Sequence, residues 1–150
     1  YKTGVRTFEA AAYLRRMGVD PVNIRRLFKT DIRDSVRLSK VISSAKIYRD
    51  NIAVAVCEDT GKDLQVLVAK AADELLNISG IEASFVIARL GHKIIISGRS
   101  LETVNVQLIL ERLGGGGHIT IAGAQLSNQD MDIALEQLQK AIDDVLDDRE

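Results

Sequence analysis

Two short stretches hold residue types that could do chemistry. The first is RLGGGGHITIAG, residues 112–123, in which four glycines precede His118. Without Cβ atoms, a chain segment lets another molecule approach its backbone, and successive N–H groups can converge on an anion. An ordered glycine costs roughly 0.5–1 kcal/mol relative to alanine in a regular element. Gly114 alone is explained as the left-handed cap of a preceding helix. Gly115, Gly116 and Gly117 need another reason. A flexible linker is the plain alternative, but a linker between helix and strand would weaken an α/β core. His118 can donate a hydrogen bond to a phosphate oxygen, or act as acid or base near neutral pH. A histidine merely bonded to main chain at a turn is the structural alternative.

The second stretch is SGRS, Ser97 to Ser100. Ser97 and Arg99 lie two apart and share a face if the strand persists. Arginine offers a planar, permanently charged fork for phosphate. Ser100 is placed to cap a helix beginning near Leu101, which would set that helix's positive end beside Arg99. Asn105 would then lie about one turn in. A surface arginine beside a capping serine is also an ordinary structural arrangement. Together the two stretches describe an anion site and little of a reaction centre. No nucleophile elbow, carboxylate pair or His-x-x-x-His spacing is present. Only His92 accompanies His118, so no metal site is expected within the chain. His92 reads as a hairpin-tip residue. Cys57, the single cysteine, lies in IAVAVC and reads as a small buried hydrophobe.

The elements that must position these residues follow from periodicity. Hydrophobic residues make up 46% of 150 residues and proline occurs once, which excludes a disordered chain. No apolar run approaches the ~20 residues of a membrane span, and no signal peptide is visible. The chain begins at Tyr1, which suggests a piece of something longer. Residues 1–50 hold 12 Lys/Arg against 5 Asp/Glu, and residues 51–150 hold 8 against 16. The basic excess could attract phosphate-bearing ligands or simply be a solvated face. General nucleic-acid binding fits poorly, because three Tyr, three Phe and no Trp leave few stacking platforms.

Three helical stretches open the chain, with Thr7 and Asp20 as caps, Pro21 at a first helical position and Gly18 just past a helix end. In the third, Ile32, Val36, Val41 and Ile42 form an apolar stripe. KIYR, a two-residue Asp50-Asn51 turn and IAVAVC read as a hairpin. A helix over about 63–78 follows, then the hairpin SFVIARL–Gly91-His92–KIIISG. A helix of about 12 residues, 101–113, leads to the glycines, and GAQLS is a short strand. Ser127 and Asp130 suit a capping box for a last helix with an apolar face. The expected fold is α/β: a mixed sheet of about five strands flanked by helices, over residues 45–150, preceded by a helical region over 1–44.

The wording SGRS…NVQLILERLGGGGHITIAG resembles the second, DHH-associated domain of the DHH phosphoesterase family, whose hallmark is a Gly-Gly-Gly-His loop followed by small residues. Where relatives often carry two alanines, this chain has Gly123, a departure that could alter the turn after His118. TGVRTFEAAAYLRR looks like the end of the preceding catalytic domain and linker in the membrane-anchored bacterial cyclic di-AMP phosphodiesterases. The resemblance implies that manganese and its Asp-His-His ligands belong to that preceding domain, leaving no cofactor in this chain. It implies a nucleotide or dinucleotide substrate held by the loop Gly115, Gly116, Gly117 and His118 and by Arg99 with its neighbouring serines, Ser97 and Ser100, with His118 also a candidate acid or base; Asn105, read from its position alone, joins them as a candidate contact. It further implies hydrolysis of cyclic di-AMP to a linear dinucleotide by the longer protein, with this chain alone inactive. Partners would be the preceding domain of the same polypeptide, and a homodimer is compatible. No membrane contact is expected of this segment; the location is cytoplasmic, with a parent anchored in the membrane. Within the family, an oligoribonuclease or single-strand exonuclease, or an adenosine bisphosphate phosphatase, shares the same loop. A regulatory nucleotide-binding module without catalysis is the alternative of another class.

Overall fold

The computed structural model describes residues 3–148. The chain divides into two compact units, Tyr1–Ser35 and Val36–Glu150. The first unit contains α1 (Val5–Arg16) and α2 (Pro21–Leu27), neither of which buries a residue. Asp20 caps α2, its carboxylate accepting from Val22 N at 2.9 Å, with Pro21 at the first position. Gly18 sits past α1 at φ +93°. Thr7 does not cap α1: the helix begins earlier, with Gly4 at the N-cap.

The second unit takes up the chain at Val36, within α3 (Ile32–Ser43). It continues through β1 (Lys46–Tyr48), β2 (Ile52–Cys57), α4 (Leu64–Leu75), β3 (Ala83–Leu90), β4 (Lys93–Ser100), α5 (Val106–Glu111), β5 (Gly116–His118), β6 (Ile121–Ser127) and α6 (Met131–Asp147). The six strands form one sheet in the order β1-β2-β3-β4-β6-β5, parallel only between β2 and β3. The right-handed crossover preference for such parallel pairs makes α4 the natural connection between them.

Each face of the sheet has its own core. On one, Phe85, Ile87, Ile94 and Ile96 meet Ile109 and Leu110 of α5 and Leu138 and Ile142 of α6. On the other, Ala53, Ala55, Cys57, Val86, Ala88 and Ile95 meet Leu64, Val68, Ala71 and Leu75 of α4, with Val41 of α3. The burial of β2 on both faces explains its unbroken apolar run, IAVAVC. β6 is different. Ala122, Ala124 and Leu126 are buried while Ile121, Gly123, Gln125 and Ser127 are exposed. Its strict alternation marks a strand covered on one side only. α4 packs on β3 and β4, and its side of β6 stays open.

The expected mixed sheet of about five strands is the observed one, with six, because the glycines themselves form β5 against β6. Four further local expectations are corrected. The β1–β2 turn has three residues, Arg49 to Asn51, since Tyr48 pairs with Ile52. The longer turn puts Arg49 within 2.8 Å of Asp143 on α6. The helix before the glycines is short, Val106–Glu111 rather than 101–113. Ser100 remains extended, paired with Ala83, and Glu102 at φ +80° interrupts any helix there. Ser100 therefore does not cap it; Asn105 does, accepting from Leu108 N at 3.2 Å. Finally, Asp130 is the N-cap of α6 without a side-chain cap bond, so no capping box closes.

Candidate functional site

The register places the two chemical stretches side by side. Arg99 on β4 pairs with Ile121 on β6, and Ile121 pairs with His118 on β5. Directly paired residues project to one face, so Arg99 and His118 flank Ile121 on the open face. Two strand spacings separate their backbones by roughly 10 Å. One step along, Ser97, Gly123 and Gly116 form the next row, and Ile95 and Gln125 the one after. The helix 101–113 was expected to hold the two stretches at its opposite ends. The sheet brings them together instead, through β6, which no local pattern in either stretch announces.

Arg99 is an oriented cation. Its side chain is 13% exposed, with Nε donating to Asp73 Oδ1 at 2.8 Å. Nη1 donates to Ser97 Oγ at 2.9 Å and to the Gly98 carbonyl at 3.0 Å. These bonds confirm that Ser97 and Arg99 share a face. Asp73, on α4, is the residue sequence reasoning missed. It lies 26 positions from its partner, and an acidic residue on a helix has no spacing signal that names a partner on a strand.

The glycines separate by role. Gly114 is left-handed at φ +74°, and bonds from Gly114 N to Glu111 O and from Gly115 N to Leu110 O close a Schellman-type end on α5. A Cβ on Gly115 would collide with the Gly123 carbonyl and stand 2.6 Å from Ala124 Cβ. One on Gly117, at φ +152°, would collide with the Ile121 carbonyl and stand 2.6 Å from Ala122 Cα. Gly116 has nothing within 4 Å of the position its Cβ would take. Packing thus explains Gly115 and Gly117, and leaves Gly116 bare on the open face. Gly123 lies within β6 opposite it, not in the turn after His118.

His118 is exposed, and its ring makes no hydrogen bond with another described residue. Ser100 and Asn105 are placed differently. The Ser100 hydroxyl donates to the Val104 carbonyl at 2.5 Å and accepts from Glu102 N. Ser100 N donates to Thr120 O, and Val106 N, next to Asn105, donates to Ile119 O. These two segments brace the Ile119–Thr120 turn that follows His118.

A groove of about 530 Å³ lies beside these residues, lined by Ile95, Ser97, Gly123 and Gln125 of the sheet, Gln65 and Val68 of α4, and Gly114 and Gly115. Arg99 and His118 stand one row beyond Ser97 and Gly123. Among the described residues no group of three His, Cys, Asp or Glu side chains is gathered for a metal ion. His92 sits between β3 and β4, at the opposite end of β4 from Arg99. Cys57 is 1% exposed, and burial pushes its thiol up, away from the reactive thiolate. No helix of the described residues is long and apolar enough to cross a membrane.

The DHHA1 domain model matches residues 49–148. The chain belongs to the DHHA1 domain family. Cyclic-di-AMP phosphodiesterase GdpP of Geobacillus thermodenitrificans is 47% identical over 144 residues, covering 95% of this chain and 22% of the relative. The protein of the same name from Bacillus subtilis is 45% identical over 146 residues, with the same shares. The chain therefore spans about a fifth of the length of these relatives. An exopolyphosphatase-related protein from Bacteroides fragilis shares the fold, with a TM-score of 0.76 at 20% identity, covering 95% of this chain and 44% of the other. The α/β sheet expected from the periodicity and the DHH-associated domain expected from the resemblance are thus the observed ones.

Proposed function

We propose that this DHHA1 domain is the substrate-holding part of a longer metal-dependent phosphodiesterase acting on cyclic di-AMP. One observation carries the reading: Arg99 and His118, distant in sequence, share one open row of the sheet. Arg99 presents Nη2, which donates to no described residue, toward an incoming phosphate. His118 donates from the other side of Ile121. Bare Gly116, one row along and paired with Gly123, lets the ligand approach the main chain beside them. Ser100 and Asn105 serve the same site indirectly, by bracing the turn beside His118.

Among the described residues no three His, Cys, Asp or Glu side chains gather where a manganese ion could be held. The resemblance assigns the metal and its ligands, together with any membrane anchor, to another part of the parent polypeptide. This chain binds and orients; it is expected to hydrolyse nothing by itself, with or without added manganese. The substrate class is supported by relatives 45–47% identical and named for cyclic di-AMP.

The test uses the parent polypeptide. Hydrolysis of cyclic di-AMP is compared with that of short RNA, for the wild type and for Arg99→Ala. Preferred turnover of cyclic di-AMP that collapses in the variant supports the proposal. Preferred turnover of short RNA would move the chain to an oligoribonuclease. Turnover by the isolated chain would overturn the division of labour.

A further inference from the structure

Beside the row that takes the phosphate, the open face continues in a way that suits the rest of a nucleotide. Gly116 and Gly123 make the second row a bare backbone floor beside Ser97. Two residues of strand advance about 7 Å, the scale on which a ribose separates a 5′-phosphate from its base. The third row then offers buried Ile95 and exposed Gln125, and Val68 of α4 adds apolar wall. Gln65 lines the same groove from α4. Both glutamines have unused capacity. Gln65 forms no side-chain hydrogen bond with a described residue, and Gln125 only accepts from Lys93 Nζ at 3.5 Å. A glutamine amide pairs a donor with an acceptor, the pattern that matches the N6 amino group and N7 of adenine. Guanine presents acceptors at both corresponding positions and fits an arginine or lysine better.

We infer that this groove is a base subsite, in which Gln65 and Gln125 read an adenine whose phosphate lies on Arg99 and His118. The inference rests on the proposed phosphate site and adds the residues that set base preference. The nucleotide lies along β6, phosphate toward Ile121 and base toward Gln125. Ile95 and Val68 contact the base apolarly, while the amides supply discrimination.

The probes are AMP, GMP and ribose 5-phosphate, titrated into the 150-residue chain by calorimetry and by amide NMR. AMP is expected to bind about tenfold more tightly than GMP or ribose 5-phosphate, the size of one good bidentate contact. Its shifts should include Gln65 and Gln125 as well as His118. Both glutamines are exposed, so Gln65→Ala combined with Gln125→Ala should keep the wild-type spectrum elsewhere. That variant should bind AMP no better than ribose 5-phosphate, with ribose 5-phosphate unaffected. Equal binding of AMP and ribose 5-phosphate to the wild type overturns the base subsite and leaves the phosphate site standing. Equal binding of AMP and GMP overturns the assignment of adenine. A preference for AMP that survives in the double variant overturns the role of the glutamines. Ligands that fail to bind, or bind without shifting His118, overturn the phosphate site and this inference together.

Discussion

Arg99 Nε lies 2.8 Å from Asp73 Oδ1, and this bond decides which edge of the guanidinium faces the open sheet. With Nη1 committed to Ser97 and Gly98, Nη2 has no described partner. Asp73 is half exposed whereas Arg99 is mostly covered. The carboxylate works by orientation, since a partly solvated ion pair adds little stability of its own. Its negative charge would also lie close to that of a phosphate on Arg99, so two effects of opposite sign would meet at one residue.

Orientation is expected to outweigh repulsion. Hydrogen bonds to charged groups contribute about 1.5–3 kcal/mol, so Arg99→Ala should weaken nucleotide binding roughly tenfold to hundredfold. Asp73→Ala should weaken it by less, with a melting temperature near wild type. Arg99→Lys should rescue poorly, because an ammonium cannot hold Asp73, Ser97 and a phosphate in one plane. Calorimetry with AMP checks all three. Tighter binding by Asp73→Ala would show that repulsion dominates.

The glycine run should divide cleanly in melting and binding experiments. Gly115→Ala and Gly117→Ala force a methyl into β6 and should destabilise by about 1–3 kcal/mol, the usual range for overpacking. Gly116→Ala meets open space and should melt like wild type, yet bind nucleotide more weakly. Gly98→Ala offers a control away from the loop, since its Cβ would stand 2.9 Å from Phe85 and 3.1 Å from Leu110. A Gly116→Ala protein with unchanged affinity would remove the bare floor from the site.

What the sequence makes legible follows from how local each cause is. The Gly114 cap, the hairpin tip at Gly91-His92 and the apolar face of α6 depend on residues within a few positions, and each is where local rules put it. The pairing of Ser97 with Arg99 follows from strand period alone. Asp73 and the shared row of Arg99 and His118 depend on which strands become neighbours. Strand order places β6 between β4 and β5, and nothing in GGGGH or SGRS encodes that. The same lack of reach hid β5. A glycine run has no β propensity, and only the close approach to Ala122 and Ala124 makes it a strand.

Acid should expose a contact outside the proposed phosphate row. Arg37 Nε and Nη2 each lie 2.8 Å from a different Asp59 oxygen, and Gly61 N donates to Oδ1. The guanidinium first, then the Gly61 amide, lowers the Asp59 carboxyl from 3.8 to about 2. A depressed carboxylate pKa contributes stability above its unfolded value that disappears as pH falls through the folded one. Asp59→Asn should therefore melt lower than wild type at neutral pH. The gap should hold down to about pH 4 and close toward about pH 2. A gap that does not change with pH would assign the effect to hydrogen bonding without charge.

His118 gives the sharpest separation of fold from function. Its side chain is exposed and unbonded, so His118→Ala should leave the melting temperature unchanged. In the isolated chain, AMP affinity should fall roughly tenfold, the loss of one hydrogen bond to a charged group. If the imidazole only donates to phosphate, His118→Asn should recover part of that affinity, and activity of the parent polypeptide should follow binding. If it also transfers a proton, His118→Asn should bind well while turnover stays down by on the order of a hundredfold. Measuring affinity and turnover on the same two variants distinguishes these outcomes. Wild-type values for both would remove His118 from the site, leaving Arg99 alone on its row.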